Sequence, residues 1–185
     1  MNSFAKIRDI FYSGSYAFMG GSEVINDIMF LISENYLALS KEIVAGKSEY
    51  LTLLNNSTEL KQRYEAHGGT FEHIALKILG ANFLKKHRLR DFVFEHPFCG
   101  YYPDVLSSDE SIIIECGHTQ NPEKILAYFQ NSQARECIQL PYPSEEDDSV
   151  YGYSFRALDD IKQFLSFVEK ERRQQMRDLM RKKGS

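Results

Sequence analysis

The sequence is short of cysteine, and the three it has follow no pattern. Cys99, Cys116 and Cys137 are odd in number and show no C-x-x-C spacing, which argues against a disulfide framework and against a structural zinc site. They read as buried free thiols. The five histidines, His67, His73, His87, His96 and His118, contain no H-x-x-x-H pair that would set two imidazoles on one helical face, so a zinc enzyme is not expected. No run approaches the ~18 to 20 apolar residues needed to cross a bilayer. The opening MNSFAKIRDIFYSG also lacks the apolar block of a secretion signal, so the expectation is a cytoplasmic chain that does not enter a membrane. Internal repeats and low-complexity linkers are missing as well.

What is present suits one folded domain. The 185 residues are 43% hydrophobic, 13% aromatic and 26% charged, too apolar for a disordered chain and long enough for one core. The net charge of -4 conceals an asymmetry. From Ile161 to the end, eight Lys or Arg stand against Glu169, Glu171 and Asp178, a net +5 that leaves -9 for the rest. A basic tail on an acidic body suits contact with a polyanion, and equally a solvated helix face.

Periodicity divides the chain. After Ser22, an N-cap residue type, Ile25, Ile28, Met29, Ile32, Tyr36 and Leu39 recur at three and four, which predicts a helix stopping at Gly46. A second helix is expected from about Glu49 to Tyr64, giving a helical region over residues 1–66. Gly68 and Gly69 then break the chain before Thr70, the N-cap of a third helix with Phe71, Ile74, Ala75, Ile78 and Leu79 on its stripe. Lys85, Lys86, His87 and Arg88 supply the cations that a helix C-terminus favours. Runs rich in Val, Ile, Phe and Tyr over residues 91–94, 100–106, 111–117 and 136–140 predict strands. Asn121-Pro122 opens a helix between the last two. A Pro-rich acidic loop follows Leu140, and the region 150–185 reads as a closing helix carrying Leu158, Ile161, Leu165 and Val168 before it turns basic. The simplest architecture is a single α/β domain over 1–185, with its core in residues 67–142.

The segment GYYPDVLSSDESIIIECG, residues 100–117, carries the chemistry. Its two apolar runs flank Ser107, Ser108, Asp109 and Glu110, the composition of a hairpin connection. A symmetric turn sets Asp104 opposite Ile113 and Tyr102 opposite Glu115. Alternation then gives one face to Tyr102, Asp104, Leu106, Ile113, Glu115 and Gly117, and the other to Val105, Ile112, Ile114 and Cys116. Asp104 and Glu115 become diagonal neighbours at roughly 7 to 8 Å, within reach of a common ion. Carboxylates amid apolar residues are costly unless compensated, and oxygen ligands without a His or Cys cluster favour Mg or Mn. The alternative is a turn-ending Asp104 and a solvent-facing Glu115.

These elements resemble the PD-(D/E)XK nuclease superfamily, whose pattern is a helical Glu, a Pro-Asp on one strand, an acid-x-Lys on the next, then a helix and another strand. Glu72 follows Thr70, Pro103-Asp104 supplies the second element and Glu115-Cys116-Gly117 the third, across residues 69–142. The resemblance implies a restriction-endonuclease-like mixed sheet flanked by helices, with the helical N-terminal extension and basic C-terminal helix added to it. It implies that Asp104, Glu115 and the Cys116 carbonyl bind Mg or Mn, with Glu72 completing the shell. One departure stands out: the motif lysine is Gly117. Lys124, in the first turn of the next helix, is the candidate to replace it, and is otherwise an ordinary surface residue. Glu72 likewise doubles as an acid favourable to a helix N-terminus. Arg172, Arg173, Arg177 and Arg181 are candidates to grip DNA phosphates. The expected activity is a metal-dependent endodeoxyribonuclease, dimeric because cutting both strands needs two sites. The alternative is a non-catalytic nucleic-acid-binding protein on the same fold.

Overall fold

The structure, a computed structural model, describes residues 21–56, 69–117 and 123–158, with residues 161, 162, 164–166, 170 and 174 beyond them. Its elements run α1 (Gly21–Ser33), β1 (Leu37–Gly46), α2 (Lys47–Asn55), α3 (Phe71–His87), β2 (Phe92–Phe94), β3 (Val105–Ser107), β4 (Ile112–Cys116), α4 (Glu123–Asn131), β5 (Glu136–Leu140) and β6 (Ser149–Ala157). The strands form one six-stranded sheet in the order β1-β6-β5-β4-β3-β2. Every neighbouring pair is antiparallel except β4 and β5, which are parallel. Parallel neighbours need a crossover, and α4 supplies it.

The central strands explain the layering. All five residues of β4 and all five of β5 are buried, so both sheet faces must be covered, and the unbroken run Ile112-Ile113-Ile114 is what such a strand requires. On one face, Leu76, Leu79 and Leu84 of α3 pack on Val105, Ile114, Ile138 and Val150. On the other, Ile28 and Leu31 of α1 and Tyr128 and Phe129 of α4 pack on Leu106, Ile113, Cys137 and Phe155. Ile161 and Leu165 join this second core, as the closing stripe predicts. Helix α3 comes so close to the sheet that a Cβ on Gly80 would stand 3.2 Å from the methyl groups of Ile114. Among the described residues no helix is long and apolar enough to cross a membrane.

Three stretches differ from expectation. Residues 37–46, taken into the first helix because Leu39 continues its spacing, form β1, which pairs with β6 from Leu37 to Gly46 except at a register shift between Ile43 and Ala45. The helical turn ends instead at Asn35, in a left-handed conformation with φ 61°. Residues 149–157, assigned to the closing loop and helix, form β6, where Val150, Gly152 and Ser154 alternate inward with Tyr151 and Tyr153 less buried. The second helix closes at Asn55 rather than near Tyr64, with Asn56 as its C-cap. At the start of α2 the Lys47 ammonium bonds the carbonyls of Ser144 and Glu145 in the acidic loop.

Candidate active site

The site forms where β3 and β4 approach the N-terminal half of α3 and the first turn of α4. Thr70 caps α3, its hydroxyl accepting the His73 N–H, and this fixes the helix start so that His73 and Lys77, four apart, lie on the same face. The β3–β4 turn sits one residue later than symmetry predicts. Asp109 accepts from the Ser107 hydroxyl and from both the hydroxyl and N–H of Ser111, drawing Ser111 into the loop. The pairing becomes Leu106 with Ile113 and Val105 with Ile114, and it ends there, with Asp104 just outside the strand. The facing of Leu106 and Ile113 against Val105, Ile112, Ile114 and Cys116 follows the expected alternation.

Asp104 lies just before β3, and its carboxylate turns to α3. Oδ1 is 2.9 Å from His73 Nε2 and 3.3 Å from Lys77 Nζ, and Oδ2 accepts the Cys116 N–H at 2.7 Å. Burial alone would raise this carboxyl, but the His73 hydrogen bond and charge, the Cys116 N–H and the Lys77 ammonium together hold it below the usual carboxylate range. A carboxylate only accepts, so His73 presents an Nε2–H to Asp104, while Nδ1 faces the Tyr142 hydroxyl at 3.4 Å. Lys77 is 1% exposed and bonds Glu95 as well as Asp104. A buried ammonium persists only where carboxylates compensate it, and here two do.

Glu115 turns to α4. Its Oε1 accepts the Tyr128 hydroxyl at 2.5 Å and its Oε2 meets Lys124 Nζ at 3.1 Å. Burial pushes this carboxyl up, against the opposing pull of Lys124 and Tyr128, and Asp104 adds to the rise. Two neighbouring carboxylates with pKa values moved in opposite directions are the arrangement found where acid and base roles divide. Burial and the Glu115 charge raise the Tyr128 phenol, so it remains a donor. The Cys116 thiol, buried beside both carboxylates, is raised well above its usual value and is no thiolate ligand or nucleophile.

The structure therefore pairs Glu115 with Lys124 and Tyr128 on the α4 side and Asp104 with His73 and Lys77 on the α3 side, so Glu115 keeps the face expected for both acids while Asp104 departs from it, and Tyr142 stands beside His73. Glu72 stays apart: it is exposed, and its carboxyl is lowered by hydrogen bonding to Thr70 and to its own backbone. Arg172, Arg173, Arg177 and Arg181, like His118, Thr119 and Gln120, lie outside the described residues. Lys77 escaped the sequence because a helical lysine ordinarily reads as solvent-facing; the only signal was its position between Ile74 and Ile78 on a stripe of apolar residues. Gly117 has a steric reason. Its φ is +78°, and a Cβ there would stand 2.9 Å from the Tyr142 hydroxyl oxygen, so Tyr142 occupies the space that a side chain at this position would need.

Among the described residues each Glu115 oxygen and Asp104 Oδ2 has one hydrogen-bond partner, while a carboxylate oxygen accepts about two. The donor set is all oxygen, which fits Mg or Mn in kind. Among the described residues no group of three or more His, Cys, Asp or Glu converges as a metal site. No family model matches the chain, and neither a curated protein nor a solved structure does.

Proposed function

We propose that this chain is a metal-dependent endodeoxyribonuclease with a restriction-endonuclease-like core of the PD-(D/E)XK kind. The observation that carries the reading is that Asp104, immediately before β3, and Glu115, on the neighbouring β4, each meet a lysine of their own. The order α3, β2, β3, β4, α4, β5 supports it, since it runs helix with Glu72, a strand immediately preceded by Asp104, strand with Glu115, helix, strand, close to what the resemblance implies. Asp104, Glu115 and the Cys116 carbonyl would hold Mg or Mn, and Glu72 joins by releasing Thr70. The ion would lower the pKa of a water and offset charge on the scissile phosphate.

The chain's own residues divide the remaining work. Asp104 stays ionised because His73, Lys77 and the Cys116 N–H favour its charge. Lys77, locked between Asp104 and Glu95, fixes the carboxylate's orientation. Lys124, 25% exposed on its side chain, is free to swing to a phosphate oxygen in the place of the lysine that Gly117 lacks. Arg172, Arg173, Arg177 and Arg181 grip the DNA backbone, and a homodimer presents two sites to a duplex in the cytoplasm.

A second reading is a non-catalytic nucleic-acid-binding protein on this core. What favours it is the closure of position 117 by Tyr142 together with the lysine on each carboxylate. Plasmid cleavage separates the two. The enzyme nicks or linearises supercoiled DNA in Mg or Mn, and Asp104→Ala and Glu115→Ala abolish this while circular dichroism shows folded protein. Binding without metal-dependent cutting selects the second reading, and a chain that neither binds nor cuts DNA overturns both.

A further inference from the structure

At the opposite end of the same strands lies a cavity of about 410 Å³ whose walls include Arg90, Arg135 and Arg156. Ser111, just before β4, lines it, and Glu115 is four residues further along, so roughly 13 Å of chain separates the cavity from the candidate active site. The three guanidinium groups come from different elements. Arg90 precedes β2, Arg135 immediately precedes β5, and Arg156 lies on β6 directly across from Glu136. Their convergence follows from the sheet register rather than from a run of basic sequence.

Two acids share the walls, Asp109 and Glu136, and both are taken. Asp109 accepts from Ser107 and Ser111 and pairs with Arg90 at 2.9 Å. Buried Glu136 receives Ser154 and two bonds from Arg88, which also reaches Glu42 at 2.7 Å. Arg156 is left with contacts of 3.8 Å to Glu42 and 4.0 Å to Glu136, beyond hydrogen-bond length. Arg135 makes no ion pair among the described residues. The four arginines outnumber Glu42, Asp109 and Glu136 by one, and the surplus donors belong to the two arginines without a close partner.

We propose that this cavity is a phosphate-binding site, with Arg135 and Arg156 as the residues that take the anion. Planar guanidinium forks match phosphate oxygens in pairs, and the volume lies in the range of small-molecule sites, larger than inorganic phosphate alone needs. The phosphate belongs to a phosphorylated small molecule or to a nucleic-acid backbone. The proposal stands apart from the nuclease reading, since neither arginine touches Asp104 or Glu115.

Calorimetric titration of the full chain with inorganic phosphate, a nucleoside monophosphate and a short DNA oligonucleotide tests it. Arg135→Gln/Arg156→Gln should weaken binding of at least one of these by about tenfold or more, and the ligand that binds should raise the melting temperature of wild type and not of the double variant. A monophosphate that competes with inorganic phosphate assigns the site to a free phosphorylated molecule. Affinity seen only with the oligonucleotide and lost steeply with salt assigns it to a backbone. Should the folded double variant bind all three as wild type does, or wild type bind none, the proposal is overturned. Arg135→Gln alone, at an exposed position, gives the same comparison if the double variant does not fold.

Discussion

Asp104→Asn removes one charge from a closed set of partners, and its cost follows from what is left behind. Lys77, 1% exposed, has two carboxylate partners, and the change leaves it only Glu95, which is 32% exposed on its side chain. The asparagine oxygen can still accept the Cys116 N–H, but its amide hydrogens then face the ammonium. Leaving a buried charge half-compensated costs about 3 kcal/mol, which in a chain of this length lowers the melting temperature by roughly 6 to 12 °C. The pH dependence carries a sign. Because the folded Asp104 is held below its unfolded value of about 3.9, its contribution is fully present above that pH and is lost as pH falls through the folded value. Thermal melts followed by circular dichroism should show the full gap between wild type and Asp104→Asn at pH 7 and a closing gap below about pH 4. Lys77→Met in the Asp104→Asn background should cost less than the two single changes added together. Equal melting temperatures at pH 7, or a gap that does not change with pH, would refute the reasoning.

Glu115→Gln has the opposite sign. The folded carboxyl is raised, so its ionisation costs stability above that raised value and the cost disappears as pH falls below the unfolded value. Lys124 can return to water, so the Gln variant should melt within about 1 kcal/mol of wild type at pH 8, and on the stable side; a large loss at pH 8 that vanishes at pH 4 would contradict this. Gly117→Lys should destabilise by about 2 kcal/mol or more, because φ of +78° strains any side chain and its Cβ meets Tyr142. Tyr142→Ala should recover part of that loss, and chemical denaturation of the three variants checks it.

The fold was legible where local signals and burial agreed. Thr70 as the cap of α3, the run Ile112-Ile113-Ile114 of β4 and the helix opening after Pro122 each carry their own evidence. β1 was not legible, because Leu, Ala, Ser, Lys and Glu form a weak strand sequence, and only pairing with β6 decides the matter. β6 did carry a signal, the alternating Val150, Tyr151, Tyr153 and Phe155, hidden behind a loop and ahead of a helical stripe. At the site, Asp104 and Glu115 were visible as the acids of a hairpin, while their partners were not. His73 and Lys77 arrive through the packing of α3 on the sheet, and the separate facing of the two carboxylates depends on Asp104 lying beyond the end of β3, where strand alternation no longer holds.

The proposed site is tested most directly by anomalous scattering from crystals of the chain soaked in manganese. The account predicts one strong peak within about 2.0 to 2.6 Å of oxygens from both Asp104 and Glu115, with Glu72 turned from Thr70 towards it and no peak in crystals of Glu115→Ala. Manganese bound away from these two carboxylates, or an unchanged peak in Glu115→Ala, would contradict it.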